Sequence, residues 1–209
     1  MPKTLRYNNT IPGNIYYSNT KVKKVFYNNT LVWSSNVIEG TLGVGNVILF
    51  DDKYWRVIHN PSSNYWILAL EYWEEDTIYD NDLSKRYYNT TSNALRQKCN
   101  TFYNNMSAEA KNYIQPSNRD NTINPGSYYV WIPESNYIEY KLFTYFSDSS
   151  KCIFRDSNGG AHNWLTATAY KENESGLNLY VVDYVNTNGV VNASTNNTAG
   201  FRPHMLIKV

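Results

Sequence analysis

The chain has 209 residues, with 19 basic and 18 acidic side chains, so its formal charge at pH 7 is +1. A charge so close to zero argues against a protein whose main task is to bind nucleic-acid phosphates. No stretch approaches the roughly 20 apolar residues of a membrane-spanning helix, and the N-terminus lacks the pattern of a secretory signal. We therefore expect one domain, with or without a small appendage, that is made in the cytoplasm and does not insert into a membrane.

Asparagine and tyrosine are unusually frequent, with 30 and 20 residues respectively. Asn favours turns because it tolerates the left-handed backbone conformation, and recognition surfaces use Tyr together with Asn. Two explanations stay open: biased codon usage acting on loop-rich β structure, and an exposed recognition surface. Cysteine is too scarce for a disulfide scaffold, so Cys99 and Cys152 are predicted to be buried free thiols.

The first 39 residues form a segment of their own kind. Three ten-residue units run in phase, LRYNNTIPGN, IYYSNTKVKK and VFYNNTLVWS, with a tyrosine before each Asn-rich group at Tyr7, Tyr17 and Tyr27. This pattern predicts short strands joined by Asn-containing turns. Because an isolated hairpin is marginally stable in water, we expect residues 1–39 to dock on partner proteins or to form a homo-oligomer, preferably a trimer.

A globular domain is predicted from Gly40 onward, and it begins with strands. Turns are expected at Asp51-Asp52 and at residues 60–64, and a polar loop at residues 74–91. The three predicted strands are Val44–Phe50, Lys53–His59 and Tyr65–Tyr72.

Two helices are predicted after the polar loop. The residues of one helical stripe are Leu95, Cys99, Phe102 and Met106. Thr91 or Ser92 is the expected cap of this first helix, and Cys99 on the stripe is interpreted as a core residue. Ser107 is predicted to cap a second, short helix with Glu109 in its first turn, and Pro116 to end it.

Short strands dominate the remainder, after a loop at residues 116–127. The predicted strands are Tyr128–Ile132, Lys151–Arg155, Asn163–Ala169, Leu177–Val185, Val190–Ala193 and Phe201–Val209. Ser157–Gly160 is a turn by composition, and Asn188-Gly189 between two β-branched runs is a strong hairpin signal. Strands, two helices and then more strands predict the α+β class.

Six sequence pieces in this order carry a resemblance: VILFDDKYWRVIH, NALRQKCNTFYNNMSAEAKNYI, VWIPESNYI, HNWLTATAY, YVVDYVNTNGVVN and AGFRPHMLI. Over residues 43–209 they resemble a bacterial and phage domain family of the C-type-lectin-like superfamily, which also holds the formylglycine-generating-enzyme-like domains. Two departures from the family pattern are Leu165-Thr166-Ala167, which lacks an arginine, and Arg202-Pro203-His204. The stretch KVKKVFYNNTLVW separately resembles short modules of phage tail and virion structural proteins.

The resemblance implies a fold of two helices, a mixed antiparallel sheet and long loops. The residues in the family's motif positions are Trp55, Arg56, Glu134, Trp164, Gly200, Arg202 and Pro203. We interpret them as scaffold. Trp164 is expected in the core, and Arg202 is expected to stack on aromatic rings or to pair with an acid such as Glu134.

The sequence gives little support for an enzyme activity. None of His59, His162 and His204 lies in a nucleophile or metal motif. The formylglycine-generating relatives depend on paired cysteines in the C-terminal half, where this chain has Cys152 alone. The Glu-Pro-Asn and Gln-Pro-Asp tripeptides of lectin calcium sites do not occur. We therefore predict no enzyme activity, no metal and no cofactor.

The leading hypothesis is a bacteriophage virion protein of the tail, baseplate or fibre whose lectin-like domain binds a ligand on the host surface, with a glycan favoured over a protein. The alternative is a purely structural virion component without receptor binding. The ligand is expected at three loops, Arg155–Asn163, Tyr170–Asn178 and Asn192–Thr198. The candidate ligand-binding residues are Asp156, Asn158, His162, Tyr170, Asn173, Glu174, Asn178, Asn196 and Asn197.

Overall fold

The computed structural model describes ten stretches of the chain. They are residues 15–18, 20–22, 24–28, 30–34, 37–82, 87, 92–117, 128–174, 177–196 and 198–209. The chain divides into two compact units, Met1–Glu39 and Gly40–Val209. Among the described residues, no helix is long and apolar enough to cross a membrane.

The described residues of the first unit form short hairpins. Its strands are β1 (Ile15–Tyr17), β2 (Thr20–Val22), β3 (Lys24–Tyr27), β4 (Thr30–Ser34) and β5 (Ile38–Glu39). β1 pairs with β2 and β3 with β4, both antiparallel. Ser18 (φ +45°) and Asn28 (φ +47°) open the two turns in the left-handed conformation that tight hairpins require. The predicted hairpins of the second and third repeats are therefore confirmed, whereas the first repeat lies outside the described residues.

The second unit is rich in β structure. Its strands are β6 (Val47–Phe50), β7 (Lys53–Ser62), β8 (Tyr65–Leu70), β9 (Asp76–Ile78), β10 (Ile114–Gln115), β11 (Val130–Trp131), β12 (Phe154–Arg155), β13 (Ala161–His162), β14 (Trp164–Glu174), β15 (Leu177–Val185), β16 (Val191–Ser194), β17 (Thr198–Gly200) and β18 (His204–Lys208). Its helices are α1 (Ala94–Asn105), α2 (Ala108–Lys111), α3 (Ser135–Glu139) and α4 (Ser149–Cys152). The α+β class is therefore confirmed in a β-rich form with short helices.

Two sheets organise this unit. In the first, the order is β10-β18-β8-β7-β6, all neighbours are antiparallel, and β11 also pairs with β18. In the second, the order is β16-β15-β14-β17-β9, where only the β14–β17 pair is parallel. The short hairpin β12–β13 stands apart from both.

The first sheet begins with a turn that its sequence encodes. Asp51 and Asp52 have φ values of +51° and +64°, the conformation of a two-residue type I′ turn, and Phe50 pairs directly with Lys53. This prediction is confirmed. The second predicted turn is shorter than residues 60–64, because β7 continues to Ser62 and pairs there with Tyr65.

The predicted helical stripe packs on the first sheet. Leu95 and Cys99 are buried, and the Phe102 ring meets Trp55 edge-on at a centroid distance of 5.9 Å. The cap prediction for α1 was wrong, because the Asn93 side chain accepts the Arg96 N–H at 3.0 Å and does what Thr91 or Ser92 was expected to do. Asn93 is itself fully buried, and the pattern of polar and apolar residues in the sequence does not predict a buried asparagine.

The second helix follows the prediction at its start and departs from it at its end. The Ser107 hydroxyl accepts the Ala110 N–H at 3.1 Å, as an N-cap does. The helix closes at Asn112, before Pro116, because residues 114–115 pair with β18. The helices α3 and α4 were not predicted. Helix α4 replaces the beginning of the expected strand Lys151–Arg155.

Both cysteines are buried free thiols, as predicted. Burial raises the pKa of Cys99 to about 12 and that of Cys152 to about 11. Both side chains therefore stay protonated near neutral pH and act as small apolar residues of the core.

The motif tryptophans are core residues. Trp55 and Trp164 are both fully buried. Their indole N–H groups donate to Phe50 O at 3.1 Å and to Cys152 O at 3.0 Å. The expectation that Trp164 belongs to the core is confirmed.

Candidate functional site

The hairpin β12–β13 is the first part of the candidate site. Asp156 organises its turn, because its Oδ1 accepts the backbone N–H groups of Asn158 at 2.8 Å and Gly160 at 2.9 Å. Gly159 has φ +89°, and a Cβ on Gly160 would lie 2.7 Å from Asp156 Oδ2. The sequence Asp-Ser-Asn-Gly-Gly therefore folds into this turn by local hydrogen bonds and by the small size of its glycines.

His162 joins the hairpin to a neighbouring tryptophan. Its Nε2 lies 3.1 Å from Asp156 Oδ2, and its ring stacks on Trp73 with centroids 4.1 Å apart and planes 3° from parallel. Trp73 donates its indole N–H to Asp76 at 3.0 Å. The contact with His162 and the backbone N–H of Gly160 lower the pKa of the Asp156 carboxyl. Asp156 is therefore held as a carboxylate whose acceptor positions are largely used inside the hairpin.

A polar cavity of about 240 Å³ opens beside this hairpin. Its lining has four basic side chains against two acidic ones: Arg56, Lys151, Arg155 and Arg202 against Glu71 and Asp156. Two tyrosines, Tyr72 and Tyr145, also line the cavity. The cavity is thus lined by cationic and aromatic groups together.

Arg56 and Glu71 neutralise each other in the wall of the cavity. The Arg56 Nε donates to Glu71 Oε2 at 2.8 Å, and its Nη2 binds the other carboxylate oxygen. Its Nη1 donates to Gly45 O at 2.6 Å, and its guanidinium lies 5.1 Å from the ring centroid of Tyr145. A two-point ion pair of this kind is rigid, so Arg56 shapes the wall.

Arg202 lies at the base of the cavity and is only 2% exposed. Its guanidinium lies 4.9 to 5.2 Å from the ring centroids of Phe154, Phe146 and Trp164, as the predicted aromatic stacking requires. It donates to two backbone carbonyls, Leu70 O at 3.3 Å and Cys152 O at 3.0 Å, and it makes no ion pair with Glu134. Burial lowers its pKa to about 10, so it remains a cation at neutral pH.

Lys151 and Arg155 carry the more accessible charges of the wall. Lys151 Nζ lies 3.4 Å from Ser147 Oγ and 3.7 Å from Asp148 Oδ2, which are weak contacts. Arg155 uses its Nη1 to hold Gly159 O at 2.9 Å. Both side chains keep several donors that no described residue accepts.

The structure brings only part of the predicted ligand-binding set together. Asp156, Asn158 and His162 form one hairpin, as the loop prediction implied. Tyr170 lies on β14 opposite Val181 and does not line the cavity.

The prediction of a loop at Tyr170–Asn178 was wrong. β14 continues to Glu174 and β15 begins at Leu177, so that Asn173 pairs with Asn178 across two antiparallel strands. The sequence carried little signal for this ribbon, because residues 171–174 are all polar and do not alternate with apolar residues.

The third predicted loop is shorter than residues 192–198, because residues 192–194 belong to β16 and β17 begins at Thr198. Asn196 accepts the Thr198 N–H at 3.1 Å with its side chain and donates its own backbone N–H to Ser194 Oγ at 2.9 Å. Asn197 lies outside the described residues.

Sequence reasoning missed most of the cavity lining. Tyr72, Tyr145 and Lys151 were not predicted as site residues, and Arg56 and Arg202 were interpreted only as scaffold. The local sequence around Tyr72 and Tyr145 carried no signal for a site, because an aromatic residue in a β-rich sequence has the same pattern whether it is buried or faces a cavity. Within the described part of the chain, no group of three or more His, Cys, Asp and Glu side chains could hold a metal ion.

No family model, curated protein or solved structure matches this chain.

Proposed function

We propose that the chain is a bacteriophage virion protein of the tail, baseplate or fibre, and that its second unit is a C-type-lectin-like domain that binds a glycan on the host surface. The order of motifs over residues 43–209 supports the family. The observation that carries the binding function is the polar cavity beside the Asp156–Gly160 turn, with tyrosine rings next to unpaired donors.

The cavity offers what sugar recognition needs. Sugar rings pack on aromatic faces, and their hydroxyl groups pair with fixed polar groups. Tyr72 is 37% exposed and meets the 54% exposed Tyr54 edge-on at a centroid distance of 5.8 Å. The hydroxyl groups of Tyr72 and Tyr145 make no hydrogen bond to a described residue, so a ligand can pair with them.

The first unit supports assembly with other virion proteins. Among the described residues of its hairpins, four aromatic side chains are exposed: Tyr16 (63%), Tyr17 (78%), Phe26 (59%) and Tyr27 (54%). Large exposed apolar side chains of this kind favour an interaction surface. We assign residues 1–39 to docking and to formation of a homotrimer, which would cover these rings.

The same exposure favours the alternative function, a purely structural virion component. In that case the aromatic hairpins would serve assembly, and the cavity would bind no host ligand. The two functions differ in one measurable property, which is binding of the isolated chain to host cells or glycans.

The test measures binding of the full-length chain to host cells and to a glycan array. Replacing Tyr72 with alanine should weaken binding about tenfold, because one stacking surface and one hydroxyl are lost. Tyr140→Ala is the matched control, since Tyr140 is 71% exposed and lies outside the cavity. Absence of all binding by a folded wild-type chain that still joins virions would refute the receptor function and support the structural alternative.

A further inference from the structure

The charges around the cavity are not balanced. Of its six charged side chains, Glu71 is neutralised by Arg56, and Asp156 is occupied by His162 and two backbone N–H groups. The remaining basic side chains are Lys151, Arg155 and Arg202, and Lys151 Nζ also lies 3.7 Å from Asp148 Oδ2. Four basic against two acidic side chains give the lining a net formal charge of +2, so its potential is positive.

Arg202 is the most deeply buried of these positively charged side chains. A buried guanidinium is expensive to desolvate and is normally paired with a carboxylate. Here its hydrogen bonds go to two carbonyl oxygens, and its Nη2 donates to no described residue. Arg202 lines the cavity together with Glu71, whose charge acts on the guanidinium without a direct ion pair. A charged guanidinium N–H that no described residue accepts suits an oxyanion.

The size of the cavity limits the ligand. At about 240 Å³ it falls below the roughly 300–1,000 Å³ of most small-molecule sites, so it suits one substituted ring and not an extended chain. Tyr72 and Tyr145 stand beside the cationic groups, which places a ring-binding surface next to an anion-binding one.

We propose that this cavity binds an acidic sugar, meaning a sugar ring that carries a carboxylate or a phosphate group. The oxyanion pairs with Arg202, Arg155 and Lys151, and the ring lies against Tyr72 and Tyr145. This inference rests on the proposed glycan-binding function and deepens it by naming the ligand class.

The test titrates the full-length chain with two pairs of sugars and follows binding by calorimetry and by NMR. Galacturonic acid is compared with galactose, and glucose 6-phosphate with glucose, so that each pair differs only in the anionic group. We expect each acid to bind at least tenfold more tightly than its neutral counterpart, and its affinity to fall as salt is added. The tighter of the two acids identifies carboxylate or phosphate as the preferred group.

Variants locate the site. Lys151→Gln and Arg155→Gln should each weaken binding of the acids about tenfold, because each removes a charged hydrogen bond. Both side chains are exposed, so these variants should fold, and unchanged thermal melting checks this. Lys111→Gln removes one positive charge outside the cavity and should leave binding unchanged.

Failure of this inference can be told apart from failure of the lectin function. Equal binding of acidic and neutral sugars, or acid binding that survives both cavity variants, overturns the anionic site while glycan binding stands. If neither host cells, the array nor any of the four sugars binds, the lectin function is wrong and the acidic-sugar site is wrong with it.

Discussion

His204 lies in an aromatic cluster that holds it uncharged. Its ring centroid is 5.3 Å from that of Trp131 and 5.9 Å from that of Phe143, and the side chain is fully buried. Nδ1 lies 3.0 Å from Arg202 O and donates to it, whereas the buried Nε2 has no partner among the described residues. Burial and the adjacent Arg202 cation lower the pKa of His204 well below its usual value. The imidazole is therefore neutral in the folded protein.

This neutral imidazole predicts a pH-dependent stability. Below a pH of about 6.5 the unfolded chain binds a proton at His204 that the folded chain does not, so the free energy of unfolding falls as pH decreases. The slope approaches about 1.4 kcal/mol per pH unit below that value. Urea unfolding between pH 8 and pH 5 measures it.

His204→Phe should remove this slope between pH 6.5 and 5 because it keeps an aromatic ring without a titratable group. His59→Gln should preserve the slope, since His204 remains. A slope unchanged in His204→Phe would contradict the assignment.

The hairpin between β15 and β16 shows how an element depends on a single glycine. Its turn is a three-residue loop, closed by the Asn186 N–H donating to Val190 O at 2.9 Å, and not the two-residue Asn-Gly turn that the sequence suggested. Gly189 has φ +76°, and a Cβ there would lie 1.7 Å from Ser149 O. The turn therefore packs its glycine directly against the backbone of α4.

Gly189→Ala should lower the free energy of unfolding by roughly 2–4 kcal/mol, as left-handed strain adds to displacement of the α4 backbone. Gly159→Ala is the matched control, because Gly159 also has a positive φ of +89°, but a Cβ there would meet nothing within 4 Å. Its loss should be limited to about 1–2 kcal/mol. Equal losses in urea unfolding would show that contact with α4 does not matter.

At the scale of the whole molecule, the two units differ in how they hide apolar surface. The second unit encloses large side chains such as Trp55, Trp164 and Phe146 completely. The described part of the first unit exposes four aromatic residues on two short hairpins, which cannot enclose them. A second and third copy of the chain would give these rings a place to pack.

Light scattering of the full-length chain at micromolar concentration should therefore report a trimer. Replacing Tyr17 and Phe26 together with serine should shift the mass towards the monomer, because two exposed anchors are lost from each chain. Tyr140→Ser makes a comparable change on the second unit and should leave the trimer intact. A monomeric wild-type chain would refute this assembly.

The candidate site was only partly predictable. Asp156, Asn158 and His162 could be found because a Gly-rich turn after a carboxylate has a local signature. Tyr72 and Tyr145 could not, because an aromatic residue in a β-rich sequence has the same pattern whether it is buried or faces a cavity. Arg202 was predicted to stack on rings, and its position at the cavity base followed from contacts with distant residues.

The sequence by itself determined the structural features that depend only on residues a few positions apart. The Asp51-Asp52 turn, the Ser107 cap and the stripe through Leu95 and Cys99 are examples, since hydrogen bonds and periodicity within one element decide them. Only the tertiary structure decided the cavity and its charge, because the cavity joins residues from β7, the segment after β8, α4, the β12–β13 hairpin and the segment before β18. The distances between the charged groups decide which charges cancel in the cavity. These groups lie up to about 150 residues apart in the sequence, so folding alone sets the distances.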